Sequence, residues 1–290
     1  MNSAFVTPTA SLDDPFYYLT NFRFVLAWVG ERHADLLSAD ERDFLEQFEN
    51  LPQASQALLV RMVMRKGELF RLSKLSYAEV GDSAEAIAPL VALGWVDNDP
   101  ALSVDELFNQ LRLAELRHIL ADEIRAAGLS VSSAKTMLYD TLTRQLPHTA
   151  PLQAWWPDAS DQIVRLKVME TCDRLRLMFF GNLRQDWAEF VLTELGLQRF
   201  ETVPFTLHSR AFQSRQEVDT YLALHQLRQR LDAGELPTDL HIEVPPRADN
   251  RWLATRRARL LLQLGREAER SGDAALALTL YCDSGSSEAR

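Results

Sequence analysis

Cysteine and lysine are scarce in this 290-residue chain, and no apolar run approaches the roughly 20 residues that span a bilayer. Its two cysteines, Cys172 and Cys282, stand far apart with no second Cys or His at ligand spacing. That excludes a disulfide framework and a zinc site. The histidines, His33, His118, His148, His208, His225 and His241, form no pair at metal-ligand spacing. There is no glycine-rich phosphate loop, no G-x-S-x-G elbow and no H-E-x-x-H. A metal-dependent nuclease of the PD-(D/E)xK type needs an acid two residues before its lysine. The four lysines, Lys66, Lys74, Lys135 and Lys167, follow Met64, Leu72, Ser133 and Arg165 instead. No catalytic residue and no metal ligand is therefore expected in this chain, and no cofactor bound by it. The start, Met1 to Asp14, has neither a basic n-region nor an apolar h-region, which predicts a soluble, cytoplasmic protein without a membrane partner.

The net charge of −10 argues against a uniformly basic coat for nucleic acid. The average hides local contrast. Arg61, Arg65, Lys66, Arg71 and Lys74 face the single acid Glu68, whereas Leu36 to Glu49 is strongly acidic. A second basic run, Arg251, Arg256, Arg257 and Arg259, is followed by Glu267 and Glu269, so a surface ion network is expected there.

Helical periodicity and breakers divide the chain into four blocks, and the fold class reads as mainly α and multi-domain. The first, residues 1–100, has predicted helices over Tyr17 to Ala34, Ser38 to Phe48 and Gln53 to Phe70. Asp13 or Asp14 before Pro15 suits an N-cap, and Ser38 with Glu41 has capping-box spacing. Ser76 to Leu93 reads as two short helices joined near Gly81-Asp82, and Gly94-Trp95-Val96-Asp97 as a strand entering a turn. That order resembles a winged helix-turn-helix; a three-helix bundle with a C-capping Gly94 explains the same pattern. Residues 101–146 read as two helices broken at Gly128-Leu129-Ser130. Residues 147–246 form a helical linker region, with helices predicted over Ser160 to Gly181, Leu183 to Leu195 and Ser214 to Ala233 and an extended piece over Arg199 to Leu207. Within it, Trp155-Trp156 suits domain packing better than base stacking. Residues 247–290 look like the start of a TPR-like helical region, a unit that cannot bury its own face without further repeats.

The second block carries the most informative pattern. Leu107, Leu111, Leu113, Leu116 and Leu120 precede Gly128-Leu129, then Ser132-Ser133-Ala134-Lys135, Leu138 and Leu142. This resembles a SAP motif, a helical hairpin that commonly binds DNA through its loop, the N–H groups opening its second helix, and a lysine. An ordinary leucine-packed hairpin fits the same residues. Here the usual Gly-x-Lys appears as Ser133-Ala134-Lys135, and Ala126-Ala127 stretch the turn.

The combination is more specific than its parts. Tyr17-Tyr18-Leu19 with Asn21-Phe22, the run Val60 to Lys66, Lys74-Leu75-Ser76-Tyr77 and the SAP-like hairpin occur in the order found in Fanconi-associated nucleases. Leu177 to Leu183, Phe190-Val191-Leu192 and Leu195-Gly196 also resemble that family's bacterial members. The resemblance implies a structure-selective nuclease that acts on 5′ flaps and as a 5′-to-3′ exonuclease in interstrand crosslink repair. It implies a C-terminal VRR-Nuc domain holding Mg²⁺ or Mn²⁺, and the chain, stopping at Ser287-Glu288-Ala289-Arg290, is expected to be a parent cut or divided before it. The expected partners are branched or 5′-flap DNA and the C-terminal nuclease part of the same protein. With the resemblance, Arg61, Arg65, Lys66, Arg71, Lys74, Ser132, Ser133 and Lys135 are the expected DNA-binding residues, Arg61 and Arg65 sharing one helical face. A winged-helix transcriptional regulator and a TPR-like protein-interaction scaffold are the competing readings.

Overall fold

A computed structural model describes residues 14–191 and 206–285. In chain order it places α1 (Tyr17–Arg32), α2 (Ala39–Asn50), α3 (Gln53–Val63), β1 (Leu69–Arg71), α4 (Ser83–Ala92), β2 (Val96–Asp97), α5 (Val104–Gln110), α6 (Leu113–Ile119), α7 (Ala121–Ala126) and α8 (Lys135–Gln145). There follow α9 (Leu152–Trp155), β3 (Ile163–Leu166), α10 (Met169–Phe180), α11 (Trp187–Val191), α12 (Arg215–Asp232), α13 (Pro237–Leu240), α14 (Arg251–Arg270) and α15 (Ala274–Ser284). Fifteen α-helices and one small sheet make the described residues mainly α, as composition and periodicity indicate. Their contacts group into two units: residues 14–28, 40–173 and 184–191 in the first, and 29–39, 174–183 and 206–285 in the second.

The core of the first unit is aromatic at its centre. Tyr18, Phe22 and Val25 of α1 are fully buried, as are Leu58, Leu59 and Met62 of α3. Phe22 packs on Phe48 and Trp187 with ring centroids 5.4 and 4.7 Å apart. Phe44 lies 4.6 Å from Trp95. Each such pair adds about 0.5–1.5 kcal/mol beyond simple area burial. The three strands are antiparallel in the order β1–β3–β2, with Phe70 opposite Val164 and Val96 opposite Leu166. That is the strand order of a winged helix, so the strand read at Gly94 to Asp97 is present at its core. The third strand, however, arrives from Ile163–Leu166, which periodicity assigned to a helix starting at Ser160. Ile163, Val164 and Leu166 are buried there in a strand paired on both sides, and α10 begins only at Met169. Everything between β2 and β3 stands where a short wing loop would.

That excursion is closed at its base by the Leu102–Ala150 bridge. Its core is the predicted leucine set: Leu107, Phe108, Leu111, Leu116, Leu120, Ile124, Leu138 and Leu142 are buried together. Four helices replace the expected two, because α5 ends at Leu111 and the first long helix breaks again at Leu120. Ser103 and Glu106 form a reciprocal capping box at the start of α5. Trp155 and Trp156 pack against this core, and Trp155 Nε1 donates to the carbonyls of Leu102 (3.0 Å) and Ala150 (3.1 Å). Packing, as expected for this pair, is their structural role.

Two further differences concern the basic segment. The predicted helix Gln53 to Phe70 stops at Val63, and Arg65 to Glu68 form a turn through Gly67, whose φ of 81° suits a residue without Cβ. Arg61 and Arg65 are therefore not on one helical face. Ahead of α4 there is a turn at Tyr77 to Val80 rather than a first short helix, and Asp82 caps α4 by accepting from the N–H groups of Ala84 and Glu85.

In the second unit, α12, α14 and α15 share a leucine core, with Leu224, Leu227, Leu260, Leu264 and Leu280 buried. The helix–turn–helix of α14 and α15 agrees with the predicted last block. Asp13, Leu192, Leu195-Gly196, nearly all of the piece at Arg199 to Leu207, and Ser287 to Arg290 lie outside the described residues. Among the described residues no helix is long and apolar enough to cross a membrane.

Candidate nucleic-acid interface

Of the eight residues expected to hold DNA, the six cations divide into engaged and open ones, and Ser132 and Ser133 lie in a loop. Arg61, on the last turn of α3, is engaged. Its guanidinium lies 4.0 Å from the Tyr18 ring centroid and 4.9 Å from that of Tyr77, and Nε donates to Glu79 Oε1 at 3.0 Å. The Tyr18 hydroxyl donates to the same oxygen at 3.0 Å. Burial, reinforced by the bond to Glu79, pushes the Tyr18 hydroxyl well above its ordinary pKa. For Glu79, burial alone would raise the carboxyl, but bonds from Arg61 and Tyr18 outweigh it and hold it below its usual range. With its side chain only 24% exposed, Arg61 ties α1, α3 and the turn before α4 together.

Arg71 is engaged in the same way. Nε donates to Asp161 at 2.7 Å and Nη1 to Glu115 Oε2 at 2.8 Å, joining β1 to α6 and to the approach to β3. The Arg71 bond is the main reason the Glu115 carboxyl lies below its usual pKa. Ser73 adds a hydroxyl donor to Asp161 at 2.6 Å. Lys135 reaches back to the carbonyl of Phe108 at 2.9 Å, near the end of α5. Ser132 and Ser133 lie in a loop braced by Arg117, whose Nη2 donates to both of their carbonyls at 3.2 and 3.0 Å. The motif pattern did not single out Arg117, because its contribution is to backbone oxygens fifteen or sixteen residues away.

Arg65, Lys66 and Lys74 are exposed and make no ion pair or side-chain hydrogen bond among the described residues; the Arg65 guanidinium lies 5.7 Å from the Tyr77 ring centroid, a contact that leaves its N–H groups open. They line an open recess of about 330 Å³ together with Arg71, Gln110, Leu111 and Arg112. Arg112, also exposed and without an ion pair among the described residues, was missed by the sequence reading. It stands alone among apolar residues far along the chain from the basic run. A larger hollow of about 710 Å³ is lined by Asp82, Asp99 and Asp161, acids that would repel phosphate. The smaller recess is the one whose chemistry suits an anion.

Two family models match the chain. The model described as "FAN1, HTH domain" matches residues 16–97, and that of the "Fanconi anemia-associated nuclease SAP domain" matches residues 101–155. The Fanconi-associated nuclease 1 homolog of Pseudomonas aeruginosa is 49% identical over 282 residues, which is 97% of this chain and 50% of that protein. The chain belongs to the Fanconi-associated nuclease family. The SAP match extends past residue 146 through Trp155, as does the closing bridge at Ala150. The Fanconi-associated nuclease 1 homolog of Arabidopsis thaliana is 30% identical over 228 residues, 74% of this chain and 25% of its own length. A crystal structure of paFAN1 bound to 2-nt 5′-flap DNA with a gap superposes with a TM-score of 0.88 at 48% identity, covering 97% of this chain and 51% of that one. A second, with 1-nt 5′-flap DNA, gives 0.87 over 95% and 51%. The chain thus spans about half the length of its bacterial Fanconi-associated nuclease relative.

Proposed function

We propose that this chain is the DNA-binding and scaffold portion of a structure-selective DNA repair nuclease, one that cuts 5′ flaps and degrades DNA 5′ to 3′ in interstrand crosslink repair. The observation that carries the reading is the likeness, along almost the whole chain, to paFAN1 in complex with flap DNA. The open cations Arg65, Lys66 and Lys74 supply what a phosphate backbone requires, while Arg61 and Arg71 hold the frame on which they stand. An acidic whole with one basic recess favours local, oriented binding over a general affinity for polyanions.

Among the described residues no three His, Cys, Asp or Glu side chains gather into a group able to hold a metal, so no hydrolytic step is derived for them. On this reading Mg²⁺ or Mn²⁺ and the cleavage itself belong to a VRR-Nuc part of the same protein outside these residues. The chain alone then binds branched DNA without cutting it, in the bacterial cytoplasm and on the nucleoid.

The test is binding of 5′-flap DNA over a salt series. Arg65→Ala with Lys66→Ala is expected to weaken binding by about 10- to 100-fold and to lower the salt slope by about two. Unchanged affinity and slope would remove the reading. A preference for one palindromic duplex over flap DNA would instead indicate a winged-helix regulator, and no binding at low salt a protein-interaction scaffold.

A further inference from the structure

Besides the paired Arg71, four cations surround the recess, and they come from two different domains. Arg65, Lys66 and Lys74 belong to the helix-turn-helix match, residues 16–97, whereas Arg112 belongs to the SAP match, residues 101–155. Arg112 stands at the junction of α5 and α6, where its backbone N–H donates to Glu115 Oε2 at 2.7 Å and its side chain is left exposed. Glu115, whose carboxyl feels the charge of Arg112, is an acid that could cancel it, and Arg71 donates to both of its oxygens, at 3.0 and 2.8 Å. Arg71 also holds Asp161. Two carboxylates are thereby engaged by one half-buried guanidinium, which offsets one of their two charges, and the remaining four cations border an opening with no ion pair of their own among the described residues. Glu68, exposed on the same turn, is the one acid within the basic segment.

We infer that this recess is a composite phosphate site, completed by Arg112 and occupied by a single phosphate group of DNA held between the helix-turn-helix and SAP domains. The inference rests on the DNA-binding reading above and deepens it. Guanidinium forks such as Arg65 and Arg112 suit the planar pairs of phosphate oxygens, and the two lysines act as point charges beside them. Arg71 is a positioning residue: it holds Glu115 and Asp161 in fixed ion pairs and fixes β1 against α6, so that the cations from the two domains stay within reach of one anion. Occupancy then couples the two domains, since neither presents the full set of charges alone.

The experiment compares the 290-residue chain with Arg112→Ala, Arg65→Ala and the double variant. Each is titrated over a salt series with gapped 5′-flap DNA ending in either a 5′-phosphate or a 5′-hydroxyl. Arg112→Ala is expected to weaken binding about tenfold and to lower the salt slope by about one, with unchanged thermal melting and with partial recovery in Arg112→Lys. The double variant should lose less than the product of the single losses, because both side chains serve one phosphate. A loss confined to the 5′-phosphorylated DNA identifies a strand end as the occupant. An equal loss on both identifies an internal backbone phosphate. Wild-type behaviour of Arg112→Ala beside a weakened Arg65→Ala overturns the composite site and leaves the DNA-binding reading standing. Losses that simply multiply overturn it too, since they assign the two arginines to separate phosphates. If none of the variants alters binding, both readings fall.

Discussion

The chain carries two basic runs of similar density, and the structure treats them differently. Around the recess of the first unit, Arg65, Lys66, Lys74 and Arg112 make no ion pair among the described residues. On α14 of the second unit, the inner two of four arginines are turned inward. Arg256 lies over Tyr221, 4.2 Å from its centroid, and over Trp252 at 5.4 Å. Arg257 donates to Asp283 at 2.6 Å and to the Pro245 carbonyl at 2.8 Å. The ion network expected with Glu267 and Glu269 is not what forms: Glu267 accepts from Arg270, and Glu269 from the Tyr281 hydroxyl. Local charge density therefore does not mark a binding surface. What matters is whether the fold supplies each cation with a partner.

That contrast can be broken in several ways, and Arg61→Ala is the strongest of them. It removes an engaged cation from within the basic run, leaving the mostly buried Glu79 with the Tyr18 hydroxyl as its remaining side-chain donor. The expected cost is about 2 kcal/mol of stability in denaturant unfolding, with the salt slope of DNA binding unchanged. A lowered slope at intact stability would move Arg61 into the open class.

Acid should separate the two units next. In the second, burial and then the charge of Arg210 hold His33 down to about 4 from its ordinary 6.5. The unfolded chain takes up that proton first, so stability from this group, complete above pH 6.5, drains away as pH falls toward 4. In the first unit the depressed carboxyls of Glu79, Glu115 and Asp161 give stability that is complete above the ordinary carboxylate range and is lost only as pH falls through it. Burial and the charge of Arg256 hold His225 of the second unit down as well, so hydrogen exchange at pH 5.5 should show weakened protection in that unit before the first, and His33→Gln should reduce the difference. Arg257→Ala is the mildest test. Its partner Asp283 is 55% exposed, so about 0.5–1 kcal/mol of stability is expected to go, with DNA affinity untouched.

Much of the architecture was legible from local pattern. The leucines of the SAP hairpin, the strand at Val96 and the α14–α15 hairpin all follow from periodicity and breaker residues, which act between residues a few positions apart. The end of α3 was not legible. Met64 to Lys66 continue a helical pattern, and it is the pairing of Leu69 to Arg71 with a strand from beyond the SAP hairpin that draws the chain out of the helix. The same cause hid β3, whose four residues gain strand character only between two partners already in place.

For the candidate site, sequence supplied Arg65, Lys66 and Lys74 but grouped them with Arg61 and Arg71, whose partners Glu79, Glu115 and Asp161 lie 18, 44 and 90 positions away. It also left out Arg112, which has no basic neighbour to draw notice. By itself the sequence determined most of the helical segments, which residues are apolar enough to form the cores, and the family to which the chain belongs. Only the tertiary structure decided which arginines are neutralised and which face an opening. Ion pairing depends on distances of a few ångströms between groups remote along the chain, and sequence separation carries no record of them.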